Sequence, residues 1–337
     1  MTNSSTALIG SACLVFALSL LAISGQQKPE RNYVGSQACG ACHTVQLTQQ
    51  SASGHARALR PAAEHSLAKF FISKLEMPVE WAFGSGSQAV TFVSQVDEDS
   101  YLEHHVTYYS AVRALDTTPG HGELKTAGAT TGVLYKTFDP DPKIMRCFRC
   151  HSTGPLSLGP KFDIRPAEPG VHCEACHGPG SLHVKAASSG ELLAARSMIV
   201  NPGRLPSSEL NQLCGGCHRK PAPAGAVSNW NDPWNTRHQP LYLDQSACFQ
   251  KSKGRLSCLT CHDPHKPLQK NQASHYNARC ATCHKTRPHP VLAGPDAKLE
   301  NCIRCHMPSV APGNHIRFTN HWIGIYPGGN NLIPRQR

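Results

Sequence analysis

The chain has 337 residues, of which 16 are cysteine and 20 histidine, and its 33 basic and 22 acidic side chains give a formal charge of +11. This cysteine content is too high for ordinary core packing and too low for a small disulfide scaffold. Hydrophobic residues make up 39% and aromatic residues 7%, which excludes a disordered chain but predicts a core poor in large apolar side chains. The positive charge alone would favour nucleic acid or anionic lipid as a partner, unless a bound anionic cofactor balances it.

An apolar run from Ala7 to Ile23 predicts a secretory signal in residues 1–24, with cleavage close to Ser24. Two alternatives remain open. One is an uncleaved anchor, because the run reaches the lower limit for a membrane span, and the other is a lipoprotein attached at Cys13. All three interpretations predict export. We therefore expect the protein in the periplasm, or held on the outer side of the inner membrane if the N-terminal segment is retained.

Fourteen cysteines occur in one repeated pattern, Cys-x-x-Cys-His, which is the attachment signature of c-type haem. A random chain of this composition would contain about 0.05 copies, so the repetition does not arise by chance. The attachment cysteines are Cys39, Cys42, Cys147, Cys150, Cys173, Cys176, Cys214, Cys217, Cys258, Cys261, Cys280, Cys283, Cys302 and Cys305. The proximal histidines, which number the motifs 1 to 7 in this order, are His43, His151, His177, His218, His262, His284 and His306.

The spacing within the motif follows from the chemistry of attachment. Positions i, i+3 and i+4 of a helical turn share one face, so both thiols can form thioethers with the two vinyl groups while the adjacent imidazole reaches the iron. Disulfides within each motif would close very short loops that stabilise little, and zinc sites do not need a histidine directly after the second cysteine. The sequence therefore predicts seven covalently attached haems c, whose macrocycles would supply much of the core.

The motifs divide the chain into unequal parts. Residues 25–77 form an N-terminal segment with motif 1, residues 78–135 contain no motif, and residues 136–337 form a multihaem domain with motifs 2 to 7. In the middle part, β-branched runs at 89–96 and 101–109 around an acidic turn predict a small antiparallel β insertion. We expect this insertion to cover the first haem, or alternatively to form a substrate mouth or a docking edge.

Elsewhere we predict a mostly α fold with extensive loop, in which short helices surround stacked haems. Segments 56–75 and 185–200 are predicted to be helical, and the tail from Pro327 is predicted to be a loop. Cys248 lies outside the motifs and is interpreted as a buried structural thiol. The alternatives for Cys248 are a reactive thiol, an intermolecular disulfide or an unusual haem ligand.

Characteristic residues surround several of the motifs. They are Tyr33-Val-Gly-Ser36 ahead of motif 1, Ser53-Gly-His55-Ala after it, Gly170-Val-His-Cys-Glu-Ala-Cys-His-Gly-Pro-Gly-Ser-Leu-His183, Cys258-Leu-Thr-Cys-His-Asp-Pro-His265, and Cys302-Ile-Arg-Cys-His-Met-Pro followed by Phe318-Thr-Asn-His321-Trp-Ile. In combination, these blocks resemble multihaem c-type cytochromes of the cytochrome c-552/c-554-like family. The resemblance extends from about residue 33 to residue 325.

Thirteen histidines lie outside the motifs, whereas only four methionines remain after the predicted signal, so most irons are expected to have two histidine ligands. The resemblance implies that His55, His183 and His265 are distal iron ligands. Further candidates for this role are His289, His315, His321, His238 and His121. The remaining histidines are expected to have ordinary structural roles: His65, His104, His105, His172 and His275.

These features predict an exported heptahaem cytochrome that transfers electrons between a donor and an acceptor protein. The alternative is an oxidoreductase that acts on a small nitrogen or sulfur compound at one haem whose iron keeps an open position. A third hypothesis is a structural subunit of a conductive filament or of a membrane complex. We assign no catalytic residue from the sequence.

Export makes nucleic acid an improbable partner, and the haems offer another explanation of the positive charge. Seven haems would bring about 14 propionate carboxylates, which outnumber the excess of 11 positive charges. Basic residues flank the motifs, where they can face these propionates: Arg146, Arg149, Arg219, Lys220, Lys266, Lys285 and Arg304. The expected partners are therefore redox proteins, with a membrane involved only if the N-terminal segment is retained.

We expect the isoelectric point of the mature holoprotein to lie well below the value of about 9.0 calculated for the chain. The ionised propionates would neutralise most of the basic excess. Isoelectric focusing of the purified holoprotein measures this, with the haem-free chain as the control that should focus close to the calculated value. A holoprotein that focuses with the haem-free chain would contradict this explanation of the charge.

Overall fold

The structure is a computed structural model that describes residues 30–75, 78–121, 132–223, 226, 228–284, 301–313 and 315–335. The predicted signal and the candidate ligand His289 lie outside the described residues, as do Cys13 and Lys285. None of the helices in the described ranges is both long enough and apolar enough to cross a membrane.

The described residues contain thirteen α-helices, all of them short, and the longest has 12 residues. Four helices end on the proximal histidine of a motif, because the Cys-x-x-Cys-His turn is itself helical. The helices are α1 (Ser36–Gly40), α2 (Thr44–Ser51), α3 (Ala68–Leu75), α4 (Lys143–His151), α5 (Cys173–His177), α6 (Ser181–Ser188), α7 (Leu192–Ser197), α8 (Ser207–His218), α9 (Gln239–Asp244), α10 (Ala247–Lys251), α11 (Cys258–Cys261), α12 (Ala273–Ala281) and α13 (Cys302–His306).

Three antiparallel sheets occur in the same described ranges. Their strands are β1 (Leu59–Pro61), β2 (Trp81–Phe83), β3 (Ala89–Asp97), β4 (Ser100–Tyr109), β5 (Ala114–Thr117), β6 (Gly132–Lys136), β7 (Ser152–Leu158), β8 (Ile164–Pro169), β9 (Ser309–Gly313) and β10 (Ile316–Thr319). The largest sheet has the order β1-β2-β3-β4-β5, with β6 paired to the first half of β4 and β5 to its second half. Strands β7 and β8 form one separate hairpin, and β9 and β10 form another.

Several predicted elements agree with the structure and one differs. Strands β3 and β4 lie where the β-branched runs predicted them, and the helices α6 and α7 occupy most of segment 185–200. Within segment 56–75, predicted to be helical, only α3 is an α-helix, because β1 pairs with β2 there and buries Leu59 completely. The largest sheet therefore begins before residue 78, and the protein has more β structure than the predicted small insertion.

The sheet packs against the helix of the second motif rather than the first. Leu59, Val93 and Tyr101 form one buried cluster with Ile144 and Phe148 of α4. Ile144 and Phe148 are four residues apart, so both side chains lie on the same face of α4. The apolar face of α4 is therefore what this side of the sheet buries, and the expectation that the insertion covers the first haem stays a prediction.

The opposite face of the sheet is also covered. Phe71 of α3 is completely buried against Phe92 of β3, with ring centroids 4.2 Å apart, and Val90 belongs to the same cluster. Because both faces of the sheet are buried, this part of the protein has a conventional hydrophobic core. Around the later motifs a third, smaller cluster contains Leu241 and Tyr242 of α9 and Trp322.

Replacing Phe148 with alanine is expected to lower the free energy of unfolding by about 3–5 kcal/mol, because this ring is fully buried. Its centroid lies 5.4 Å from that of Trp81 and 5.2 Å from that of Phe83, both in edge contact. The measurement is urea unfolding followed by far-UV circular dichroism. Phe138→Ala is the control, since Phe138 is 57% exposed and its loss should cost much less. Equal losses in the two variants would contradict the core assigned to α4.

Candidate functional site: a histidine-lined cavity

Cysteines from all seven motifs line one cavity with a volume of about 5140 Å³. The surrounding elements are short helices and loops, and they leave this space at the centre of the motif-bearing part of the chain. Proximal histidines of motifs 1 and 3 to 7 also line it. Motif 2 contributes Cys150, while its histidine lies towards the sheet, where the ring of His151 contacts Phe83 at 5.2 Å.

Four proximal histidines each face one further histidine across a similar gap. The ring centroids are 6.2 Å apart for His43 and His183, 6.2 Å for His177 and His265, 6.1 Å for His218 and His55, and 6.2 Å for His262 and His321. The first two pairs are nearly parallel, with interplanar angles of 20° and 16°. All four partners are among the distal ligands predicted from the sequence.

The gap between the paired rings has the size that one metal ion requires. Two nitrogen–metal bonds of about 2 Å, together with the distance from each nitrogen to its ring centre, separate the centroids of two axial imidazoles by about 6 Å. The residues therefore fit haem iron bound between two histidines at each of the four pairs.

Backbone carbonyls orient several of these imidazoles. The Nδ1–H group donates a hydrogen bond of 2.8–3.0 Å to a carbonyl oxygen in five histidines: His151 to Ala58, His177 to Val200, His183 to Ala195, His306 to Gly324, and His321 to Thr319. Such a bond fixes the tautomer and leaves Nε2 with a free lone pair. Nε2 is therefore the atom through which these histidines can bind iron.

Burial favours the neutral form of these histidines, which is the form that binds a metal. Loss of solvent lowers the pKa of His55, His177, His218 and His262 below the usual value for histidine. The same cause lowers the pKa of His321 to about 4. These imidazoles are therefore uncharged and able to donate a lone pair at neutral pH.

Three further candidate ligands, His315, His238 and His121, contact side chains other than a proximal imidazole. His315 donates a hydrogen bond of 2.9 Å from Nε2–H to the carboxylate of Asp116, and its ring lies against Tyr109. His238 lies between Arg219 and Arg237, with both guanidinium contacts at 3.4 Å, and burial together with these cations lowers its pKa to about 4. The structure thus does not pair these two with a proximal ring.

His121 contacts residues of the sheet and does not line the cavity. Its Nε2 lies 3.3 Å from a carboxylate oxygen of Glu103, and its ring lies beside His105. Among the histidines predicted to have structural roles, His172 contacts Gln50 and the carbonyl of Pro169, and His104 contacts Ser94.

Thiols from different motifs also meet inside the cavity. Four pairs lie close enough for one thiol to shift the pKa of the other: Cys39 with Cys173, Cys150 with Cys217, Cys214 with Cys258, and Cys280 with Cys302. The neighbouring thiol lowers the pKa of Cys150 to about 6 and that of Cys214 to about 7. Motif 1 is therefore next to motif 3, motif 4 is next to motifs 2 and 5, and motif 6 is next to motif 7.

The disulfide and zinc alternatives concern the same cysteines. None of the described cysteines is in a disulfide. In the described ranges, no group of three or more histidine, cysteine or acidic side chains is arranged to hold a metal ion alone, as a structural zinc site would need. Cys248 is partly buried and lines the same cavity, and burial raises the pKa of its thiol.

A buried glutamate that sequence reasoning missed holds the first histidine pair in place. Glu174, inside motif 3, is 2% exposed, and its carboxylate accepts hydrogen bonds from the backbone of Val34, Gly35 and Gly180 at 2.7–3.1 Å. Val34 and Gly35 precede motif 1, and Gly180 precedes α6, which carries His183. Glu174 therefore links the segment that precedes His43 to the start of the helix that carries His183. An acidic residue inside a haem motif is the only sequence signal of this role.

Comparison with known proteins identifies several similar chains. The family described as "Cytochrome c554 and c-prime" matches residues 104–178, which include motifs 2 and 3. "Multiheme cytochrome MtrA" of Shewanella baltica (strain OS185) is 23% identical over 155 residues, which cover 42% of this chain and 44% of that protein. The match therefore spans less than half the length of this relative.

Two solved structures are similar to this one. "Outer Cell Wall Cytochrome OcwA" has a TM-score of 0.52 at 16% identity, over 86% of this chain and 79% of that chain. The undecaheme cytochrome from the S-layer of Carboxydothermus ferrireducens has a TM-score of 0.47 at 17% identity, over 82% of this chain and 46% of that chain. At this level of identity, the likeness to the first structure shows a shared fold.

The Glu174→Gln variant is expected to lower the free energy of unfolding by about 1–3 kcal/mol, because it removes the charge from a buried acceptor and turns an amide N–H towards backbone donors. Thermal unfolding of the holoprotein measures the loss. The matched control is Glu191→Gln at an exposed position, which should change little. Equal stability of the two variants would contradict the role of Glu174 in holding motifs 1 and 3 together.

Proposed function

We propose that this chain, a multihaem c-type cytochrome, carries electrons between redox partner proteins through seven covalently attached haems c. The observation that carries the proposal is the set of four facing histidine pairs, each with the separation that one iron between two imidazoles requires. Haem supplies the redox chemistry when bound. The chain's own residues set the ligands, the spacing and the burial.

The proposed ligand pairs join distant parts of the chain. His43 is paired with His183, His177 with His265, His218 with His55, and His262 with His321. Two histidine ligands give a lower reduction potential than a histidine and a methionine. We therefore infer that these four sites have low reduction potentials, which suits electron transfer between proteins.

Close spacing of the motifs supports transfer inside the protein. Thiols of motifs 1 and 3, 2 and 4, 4 and 5, and 6 and 7 lie close enough to shift each other's pKa. Porphyrins attached through these sulfur atoms start from neighbouring points of one cavity. Electrons can therefore pass between sites without leaving the protein.

Export to the periplasm is part of the proposal. Covalent haem attachment takes place outside the cytoplasm, and the apolar run from Ala7 to Ile23 would direct the chain there. A solved structure with a shared fold is named an outer cell wall cytochrome, a protein outside the cytoplasm, which supports export. The donor and the acceptor are proposed to be redox proteins.

One observation favours a second candidate function, the reduction or oxidation of a small nitrogen or sulfur compound. No second histidine ring faces His151 among the described residues, and its ring contacts Phe83 instead. An iron at this position could keep an open site. The EPR spectrum of the oxidised protein separates the two functions, since a high-spin signal that shifts on addition of nitrite, hydroxylamine or sulfite would favour the enzyme.

The His183→Ala variant is expected to convert one low-spin ferric haem into a high-spin haem, because it removes the partner of His43. Low-temperature EPR detects this change, and mass spectrometry of the intact variant should still show seven attached haems. His172→Ala is the control, since this imidazole contacts Gln50 and the Pro169 carbonyl rather than a proximal ring.

Two results would contradict the proposal. One is a His183→Ala variant that keeps every low-spin signal of the parent protein. The other is a mature protein with fewer than seven covalent haems, which would mean that one motif is unused.

A further inference from the structure

Motif 2 lies where the cavity borders the sheet. All fourteen attachment cysteines are among the described residues, and Cys147 is the one that does not line the cavity. The proximal histidine of the same motif, His151, is also absent from the cavity wall and contacts Phe83 of β2. Motif 2 is therefore the point at which the haem-binding part of the protein meets the sheet.

Two aromatic rings are exposed beside the segment that leads into the helix of motif 2. Phe138 is 57% exposed and Phe162 is 39% exposed, and their ring centroids are 5.0 Å apart in an edge contact. Neither residue lines the cavity, so their exposure does not depend on the space assigned to the haems. Contiguous exposed apolar groups mark interaction sites, whereas single exposed apolar side chains are ordinary.

Hydrogen bonds join the three chain segments that surround this ring pair. The side-chain amide of Gln95 donates to the carbonyl of Glu98 in the β3–β4 turn at 2.9 Å and to the carbonyl of Lys161 in the β7–β8 turn at 2.8 Å. The backbone N–H of Thr137 donates to the carbonyl of Asp99 at 2.8 Å. The rings are therefore held on a fixed backbone, which lowers the entropy cost of binding a partner.

Phe162 is exposed in a strained backbone conformation. Its φ angle is 54°, in the left-handed region that a bulky side chain rarely adopts. The turn is closed by a hydrogen bond of 2.9 Å from the N–H of Phe162 to the carbonyl of Gly159, and glycine at position 162 could make the same bond without strain. Strained residues cluster at functional sites. The turn therefore points to a role of the aromatic ring beyond the fold.

A packed route connects the ring pair with motif 2. Phe162 is two residues before Ile164, whose backbone N–H donates a hydrogen bond of 2.7 Å to the hydroxyl of Tyr101. The ring of Tyr101 lies 6.1 Å from that of Phe148, which follows Cys147 in the chain. Tyr101, Phe148 and Ile164 are all buried. Packed side chains, rather than solvent, therefore lie between this surface and motif 2.

The charge around the rings is opposite in sign to that of the whole chain. Segments 96–99, 136–141 and 158–165 contain six acidic and three basic side chains, whereas the chain has 22 acidic and 33 basic ones. Within the described residues, no ion pair involves Asp97, Glu98 or Asp139, all of which are exposed. An apolar centre with a charged rim is the usual composition of a protein–protein contact, and an acidic rim favours a basic partner.

We propose that Phe138, Phe162, Asp97, Glu98 and Asp139, which we call the aromatic surface, form the docking site of a redox protein with a basic contact face. This inference rests on the proposed electron-carrier function and adds the place of transfer and the partner chemistry. In the docked complex, one electron passes from the ferrous iron of motif 2 to the partner's oxidised redox centre. The iron becomes ferric, and no covalent bond forms or breaks.

The test uses the reduced holoprotein and oxidised plantacyanin, a basic blue-copper protein, as the probe. Stopped-flow absorbance follows the loss of the blue colour as one electron passes from ferrous iron to Cu(II), which becomes Cu(I). Phe138→Lys should slow this reaction about tenfold, because it places a positive charge in the apolar centre opposite a basic face. Phe70→Lys is the matched control, since Phe70 is 42% exposed on α3, on the other face of the sheet, and the rate should stay unchanged.

Phe162→Gly removes the second ring without changing the charge. Glycine adopts a positive φ without strain, so the β7–β8 turn should still form, and thermal unfolding checks that the fold is kept. The reaction with plantacyanin should nevertheless slow about fivefold, because aromatic side chains at the centre of a contact contribute much of its binding energy. A folded Phe162→Gly variant that reacts as fast as the parent protein would contradict the role of this ring.

Charge is tested separately. The reaction of the parent protein with plantacyanin should slow as salt is added, because salt screens the attraction between the two faces. The double variant Glu98→Lys, Asp139→Lys should slow the reaction at low salt and remove most of this dependence, whereas Glu64→Lys, at an exposed position beside α3, should not. Plastocyanin, an acidic blue-copper protein, is the second probe, and its reaction should not slow in the double variant. Equal slowing with both probes would overturn the choice of a basic partner.

Reduction by dithionite separates failure of docking from failure of the carrier function. Dithionite needs no docking site, so all variants should reach the same extent of haem reduction. Normal reduction by dithionite together with an unchanged plantacyanin rate in Phe138→Lys would overturn the docking site alone. Haems that dithionite cannot reduce would overturn the carrier function. A dimer of the parent protein that Phe138→Lys dissociates would show that a second copy, rather than a basic redox protein, covers the aromatic surface.

Discussion

The separation of about 6 Å between facing imidazoles is the constraint on which the rest of this structure depends. Each pair joins a histidine within a motif to a histidine far away in the chain, such as His43 to His183. Short helices can hold a motif, but they cannot by themselves hold its distant partner. The loops, the backbone carbonyls and a few buried polar groups bring the two rings together and hold their centroids 6.1–6.2 Å apart.

This constraint explains why the protein has two kinds of interior. The six-stranded sheet is buried between α3 and α4 and has an ordinary core of aromatic and aliphatic side chains. The motif-bearing part instead surrounds a cavity of about 5140 Å³. The low aromatic content follows from this division, because large apolar side chains are needed mainly around the sheet.

In the motif-bearing part, hydrogen bonds of polar groups hold the segments in place, as apolar packing does around the sheet. Carbonyl oxygens of Ala195 and Val200 orient two imidazoles, and the carboxylate of Glu174 joins three backbone N–H groups from separate segments. A buried carboxylate with several hydrogen bonds is stable only where its donors are fixed.

The sequence by itself determined the cofactor chemistry, because haem attachment needs only five consecutive residues and each motif is a local turn. It also supplied His55, His183, His265 and His321 as candidate distal ligands, and each of these rings faces a proximal histidine in the structure. Only the tertiary structure decided which histidine faces which motif, because the pairs are far apart in the chain. It likewise placed His315 and His121 beside Asp116 and Glu103, and it put the sheet on α4, since these contacts depend on how distant segments pack.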